Sequence, residues 1–159
     1  MKAQSGFTLV ELMIVVAIVG IIMAIAIMNL TQTNDRFTVE SYTKEIYSTL
    51  MRARNDAANS NIQVSVTLAA NQVTTYQDVN GNGVADPNET TTKSYPRFTI
   101  LFATSPIIFD RKGITTAVTN QTISITGYSA NAKPQVDCIA VAQTRINMGL
   151  MTGGDCVQQ

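Results

Sequence analysis

The 159-residue chain has no histidine and no tryptophan, only four prolines and just two cysteines. Without histidine, the side chain that most often serves as general base or metal ligand is missing. No arrangement of a nucleophile beside a base is visible, so an enzyme is not expected. Charge is sparse: charged residues make up 14% of the chain, with eleven of each sign. Such a balance offers no general electrostatic attraction for nucleic acid. All the prolines lie at or beyond Pro87, so none breaks a helix in the first half.

The longest gap in charge runs between Glu11 and Asp35. Within it, residues 12–28 carry no polar side chain at all. A run of that length lies between a buried core helix and a membrane span. Glu11 weighs towards function, because an acid inside a membrane-competent helix costs roughly 2.5–3.5 kcal/mol unless it is paired. A secretory signal peptide would carry its small-residue cleavage site after the apolar run, and a plain anchor would not explain the acid.

Gly6, Phe7, Thr8, Leu9, Val10 and Glu11, leading into that apolar run, resemble the signature of the type IV pilin and pseudopilin family. The resemblance implies that a prepilin peptidase cuts between Gly6 and Phe7, removing leader 1–6, and that Phe7 is then N-methylated. Cleavage would put an ammonium on Phe7, four residues before Glu11 and on the same helix face. The two could neutralise each other within one chain, or Glu11 could accept a neighbour's amine. The resemblance favours the second, as the assembly contact. It further implies a single-pass start in the bacterial inner membrane, then a pilus or a periplasmic pseudopilus. The partners implied are other major and minor pilins, the peptidase and an inner-membrane assembly platform.

Helical signals continue past the apolar run. Val39, Tyr42, Ile46, Leu50, Ala53 and Ala57 recur every three or four residues, one amphipathic stripe. Glu40 and Lys44, four apart, stand off that stripe. The pattern predicts one helix of about 50 residues, with 7–30 as its membrane and assembly part and 31–59 as its amphipathic continuation. Family members commonly carry a proline where this chain has Met28, so nothing obliges a kink there.

From 60 to 159 the period changes. Ile62, Val64, Val66 and Leu68 alternate with polar or small residues, which predicts a strand. Its expected hairpin partner is 73–77, across a turn at Ala70, Asn71 and Gln72. Further strands are expected at 97–102, 107–110, 122–126, 138–142 and 145–150. Residues 106–113 resemble the GspH/FimT branch, minor subunits with a sandwich-like β head. The fold expected is therefore α+β: a long N-terminal helix packed on a β-rich head of roughly 100 residues, enough for a modest core. Cys138 and Cys156 can be a bridge or two buried thiols. The exported context and the resemblance favour the bridge, which would close a loop worth on the order of 3 kcal/mol.

The stretch 78–89 matches the spacing of an EF-hand loop. Oxygen ligands would come from Asp78, Asn80, Asn82, Asp86 and Glu89, and a backbone carbonyl from Val84, with Gly83 at the bend. No cofactor is required by anything else in the chain, and Ca²⁺ is the one ion this loop could hold. The competing reading is a turn whose side chains bond their own backbone. Some relatives bind DNA through a Gly-Arg-x-Arg motif, which here has become Thr144-Arg145-Ile146-Asn147. Arg145 alone would neutralise about one phosphate, which weighs against nucleic acid. The resemblance implies a minor pilin of the tip or priming complex of a type IV pilus. The alternatives are a pseudopilin of a type II secretion system and, more weakly, a DNA-binding competence pilin.

Overall fold

The computed structural model describes residues 7–82, 85–116 and 120–158, with the side chains of 25–29 outside that description. Its first element, α1, is a single helix from Leu9 to Ser60. Thr8 caps its start in extended backbone, and Asn61 ends it in the left-handed region at φ 53°, a conformation asparagine tolerates. The helix continues through position 28, in keeping with the missing proline.

Among the described residues nine strands follow, all paired antiparallel in two sheets. The first sheet runs β3-β2-β1-β5, built from β1 (Val64–Ala69), β2 (Gln72–Gln77), β3 (Thr90–Ser94) and β5 (Ile107–Phe109). The second runs β4-β6-β7-β8-β9, from β4 (Thr99–Phe102), β6 (Gln121–Thr126), β7 (Cys138–Val141), β8 (Ile146–Thr152) and β9 (Asp155–Gln158). The predicted alternation of β1 places Val64, Val66 and Leu68 inward. Ala69 pairs with Gln72, so the hairpin turn is Ala70-Asn71, one residue shorter than expected. Asn71 and Ala70 carbonyls accept the N–H groups of Tyr95 and Ile100, where the chain passes from β3 to β4 and from one sheet to the other.

The helix stripe lies between the sheets. Val39, Ile46, Leu50, Ala53 and Ala57 are each at most 1% exposed and meet Val66, Phe109, Ile123 and Ile139 in one core. Fully burying a side chain of the Val, Leu, Ile or Phe kind is worth about 1.5–3 kcal/mol. Tyr42 reaches from the helix to Tyr95, with ring centroids 4.9 Å apart, edge to face. Phe98 and Tyr128 extend that aromatic row at 6.1 Å. At the far end of the helix, the turn after β5 packs on Arg54. A Cβ on Gly113, whose φ is +71°, would lie 3.0 Å from the Arg54 carbonyl oxygen, so glycine meets both the conformation and the close approach.

Two strands carry no signal in the sequence. β3 is mostly threonine on an exposed edge, and β9 is short and exposed. Neither shows the burial alternation that betrays a strand.

Candidate assembly surface

Among the described residues, nothing from the head covers the N-terminal part of α1. Every described side chain from Phe7 to Ala24 is exposed, including Leu9, Leu12, Ile14, Ile18, Ile21 and Ile22. A soluble surface rarely leaves so many contiguous apolar groups uncovered. Among the described residues no helix is long and apolar enough to cross a membrane; described side chains of this stretch stop at Ala24 and resume at Leu30.

Glu11 sits in the first turn of this surface. Its Oε2 accepts hydrogen bonds from the Thr8 N–H and the Thr8 hydroxyl, both at 3.0 Å. Thr8 Oγ1 in turn accepts the Glu11 N–H at 3.2 Å. This is a capping box, and the carboxylate also favours the positive end of the helix dipole. Thr8 is thus the direct hydrogen-bond partner of Glu11, a contact that the Thr-x-x-Glu spacing signals in the sequence. Phe7 is exposed just before the cap; Gly6 lies outside the described residues.

The head is braced to the helix just above the apolar stretch. Asp35 accepts from Arg97 Nη2 at 2.6 Å and from the Ser129 N–H at 3.3 Å. Glu40, 8% exposed, accepts at one oxygen from Arg36 Nε at 3.0 Å and from the Gln135 N–H at 2.9 Å. Lys44 stands 3.6 Å from its other oxygen. Burial alone would raise the Glu40 carboxyl; the Gln135 N–H, then Arg36, then Lys44 outweigh it and hold the group below its ordinary range. The contacts to Arg97, Ser129 and Gln135 join residues 62–95 positions apart, which no local spacing announces.

Behind the brace lies a second buried acid. Asp137, 3% exposed, accepts from the Tyr128 hydroxyl at 2.5 Å and from the Met151 N–H at 2.7 Å. Burial first, then this bond and the Asp137 charge, push the Tyr128 phenol well up. Next in sequence, Cys138 is joined to Cys156, so β7 and β9 are stapled across β8.

The acidic loop does not support calcium. Glu89 Oε1 accepts the N–H groups of Val79 and Asn80, both at 3.1 Å. Asn80 Oδ1 accepts the Asn82 N–H at 2.9 Å. Asp86 Oδ2 accepts both side-chain amides, Asn80 at 2.9 Å and Asn82 at 3.1 Å. The intended ligands therefore bond one another and their own backbone. A 3-10 turn, Pro87–Glu89, closes the loop, and strands β2 and β3 flank it where an EF-hand has helices. Among the described residues no group of three or more His, Cys, Asp or Glu could hold a metal ion. Asp78 sits at the end of β2; Gly83 and Val84 lie outside the described residues. Arg145 is exposed in the turn between β7 and β8, its carbonyl accepting the Ala142 N–H.

Two family models match the chain. The prokaryotic N-terminal methylation motif covers residues 1–27. The type II transport protein GspH model covers residues 43–144, more than half of the chain. The chain belongs to the GspH family.

Two curated relatives, each a fimbrial protein of Pseudomonas aeruginosa, are 82% identical over 27 residues, or 17% of this chain. The chain spans about a fifth of the length of these relatives, 18%. The minor pseudopilin EpsH from the type II secretion system of Vibrio cholerae superposes with a TM-score of 0.55 at 13% identity, over 76% of this GspH-family chain and 99% of that one. The type IV minor pilin FimU of Pseudomonas aeruginosa gives 0.53 at 14%, over 81% and 97%. At such identities the likeness shows the fold, a long helix packed on antiparallel sheets.

Proposed function

We propose that this chain is a minor pilin, a structural subunit that enters a type IV pilus through its N-terminal helix. The carrying observation is the uncovered apolar surface of α1 with one carboxylate, Glu11, in its first turn. On this reading 7–30 is held in the inner membrane and later packs laterally against the helices of neighbouring pilins. Cleavage between Gly6 and Phe7 frees the Phe7 amine, and Glu11 of one subunit receives the amine of the next. That exchange replaces the Thr8 bonds of Glu11 with an ion pair in a medium of low dielectric, where a charge-assisted bond is strong. The methylation-motif match over 1–27 supports the processing step. Prepilin peptidase and an inner-membrane assembly platform are the further partners, and a tip or priming position suits a minor subunit.

A second reading is a pseudopilin of a type II secretion system, favoured by the family description and by the likeness to EpsH. A DNA-binding role rests on Arg145 alone and is the weakest of the three. The test is Glu11→Ala. Membrane insertion and leader removal should proceed, while the chain disappears from sheared filaments; normal incorporation refutes the pairing. Loss of piliation against loss of protein secretion in a deletion strain separates the first two readings.

A further inference from the structure

The base of the head carries a second surface. Gln32, Thr33, Arg36, Phe37, Asn131 and Lys133 line an open groove of about 440 Å³ between α1 and the loop after β6. Phe37 is 64% exposed there, an aromatic on the one part of the helix that otherwise packs against the head. Lys133 is held at φ 43°, a left-handed conformation rare for a residue other than glycine. Among the described residues the groove's lining carries two cations, Arg36 and Lys133, and no carboxylate. The nearby acids are taken up elsewhere, Glu40 by Arg36 and Lys44 and Asp35 by Arg97, which leaves Lys133 as the cation the groove adds.

The position of this surface along the helix matters. With Glu11 at one interface, a hydrocarbon core of about 30 Å at about 1.5 Å per residue ends near residue 31. The polar headgroup layer adds roughly 5–7 Å, which reaches about residues 34–36. Arg36, Phe37 and Lys133 therefore stand at the outer edge of the headgroups, within reach of a snorkelling side chain.

We propose that the groove docks the head on an anionic phospholipid surface before the subunit is extracted, with Phe37 seated among the headgroups and Arg36 and Lys133 on their phosphates. The inference rests on the membrane reading of 7–30 given above. Docking would fix the tilt and rotation of the head, and so the face that Glu11 offers to an approaching neighbour.

The chain has no tryptophan, so Phe37→Trp in the full chain is a single-site reporter. It is to be reconstituted in phosphatidylcholine vesicles with and without phosphatidylglycerol. With phosphatidylglycerol, the emission should shift to the blue and be quenched by brominated lipid; in phosphatidylcholine alone it should report water. Lys133→Asn removes the charge and suits the left-handed backbone. It should lower the docked-to-undocked ratio roughly fivefold, the worth of one cation at an anionic surface, while Lys133→Arg restores it.

Flotation with both vesicle types but the same emission in each overturns the docking and leaves the membrane reading standing. Failure to float with either overturns both. Burial of the reporter that rises with protein-to-lipid ratio in neutral vesicles assigns the groove to a second copy of the chain, which also overturns the proposal.

Discussion

Replacing Gly149 by alanine tests how the C-terminal hairpin is held. Gly149 lies in β8, opposite Cys138 on one side and Gln158 on the other. A Cβ there would stand 2.2 Å from the Val157 carbonyl oxygen, 2.7 Å from its carbon and 3.1 Å from Cys156 Sγ. The first two are backbone atoms, so β9 itself must move. Overpacking of this kind costs about 1–3 kcal/mol, and the gain from a stiffer unfolded chain returns about 0.4–1 kcal/mol. The net loss is on the order of 1–2 kcal/mol, or about 4–8 °C of melting temperature for each kcal/mol in a domain of roughly 100 residues.

The disulfide makes the test sharper. With Cys138 joined to Cys156, β9 cannot leave. In the Cys138→Ser, Cys156→Ser background it can, and the alanine should cost markedly less. Thermal melts of the four proteins, full length in the same detergent, give that coupling as a double-mutant cycle. An unchanged melting temperature for Gly149→Ala with the bridge intact, or an equal loss in both backgrounds, refutes the reasoning.

Other outcomes follow from the same contacts. The Glu40 carboxyl is depressed in the fold, so its contribution is present above the ordinary value of 4.5 and is lost as pH falls through its folded value. Melting scans should show an acid limb below about pH 4.5 that flattens in Glu40→Gln. The Tyr128 phenol is raised, so its contribution is intact below about pH 10 and is lost as pH rises beyond it; Tyr128→Phe should flatten that alkaline limb. Removing its bond to buried Asp137 should cost about 1–3 kcal/mol at neutral pH, read by the same scans. Glu89→Ala strips the acceptor from two backbone N–H groups and should lower stability by a similar amount. Millimolar Ca²⁺ should leave the melting temperature of the parent unchanged, as shown by differential scanning fluorimetry.

Much of this architecture is written locally. The spacing of Val39, Ile46, Leu50, Ala53 and Ala57 foretells both the helix and the face it buries, because one stripe every 3.6 residues has one way to be covered. The alternation in 62–68 foretells β1 for the equivalent reason. β3 escaped because an exposed edge strand of threonines needs no apolar face; its place depends on the ladder to β2 and the Thr74–Thr92 hydroxyl contact at 3.0 Å. The EF-hand spacing misled because ligand types at the right intervals do not make a cage. Here the backbone N–H groups of Val79, Asn80 and Asn82 and the two amide side chains claimed the same oxygens first. Along α1 the opposite holds: the motif around Glu11 was legible, while the brace of Asp35 and Glu40 to residues 97, 129 and 135 was not. Long-range pairs leave no mark on local spacing.

On the function proposed above, the N-terminal helix is a filament handle. The most direct measurement is the intact mass of this chain recovered from sheared, washed surface filaments. A mass lacking residues 1–6 and carrying one added methyl group at Phe7 is predicted, with Glu11→Ala cells showing that species only in the membrane fraction. A chain that keeps its leader and never leaves the membrane in parent cells contradicts it.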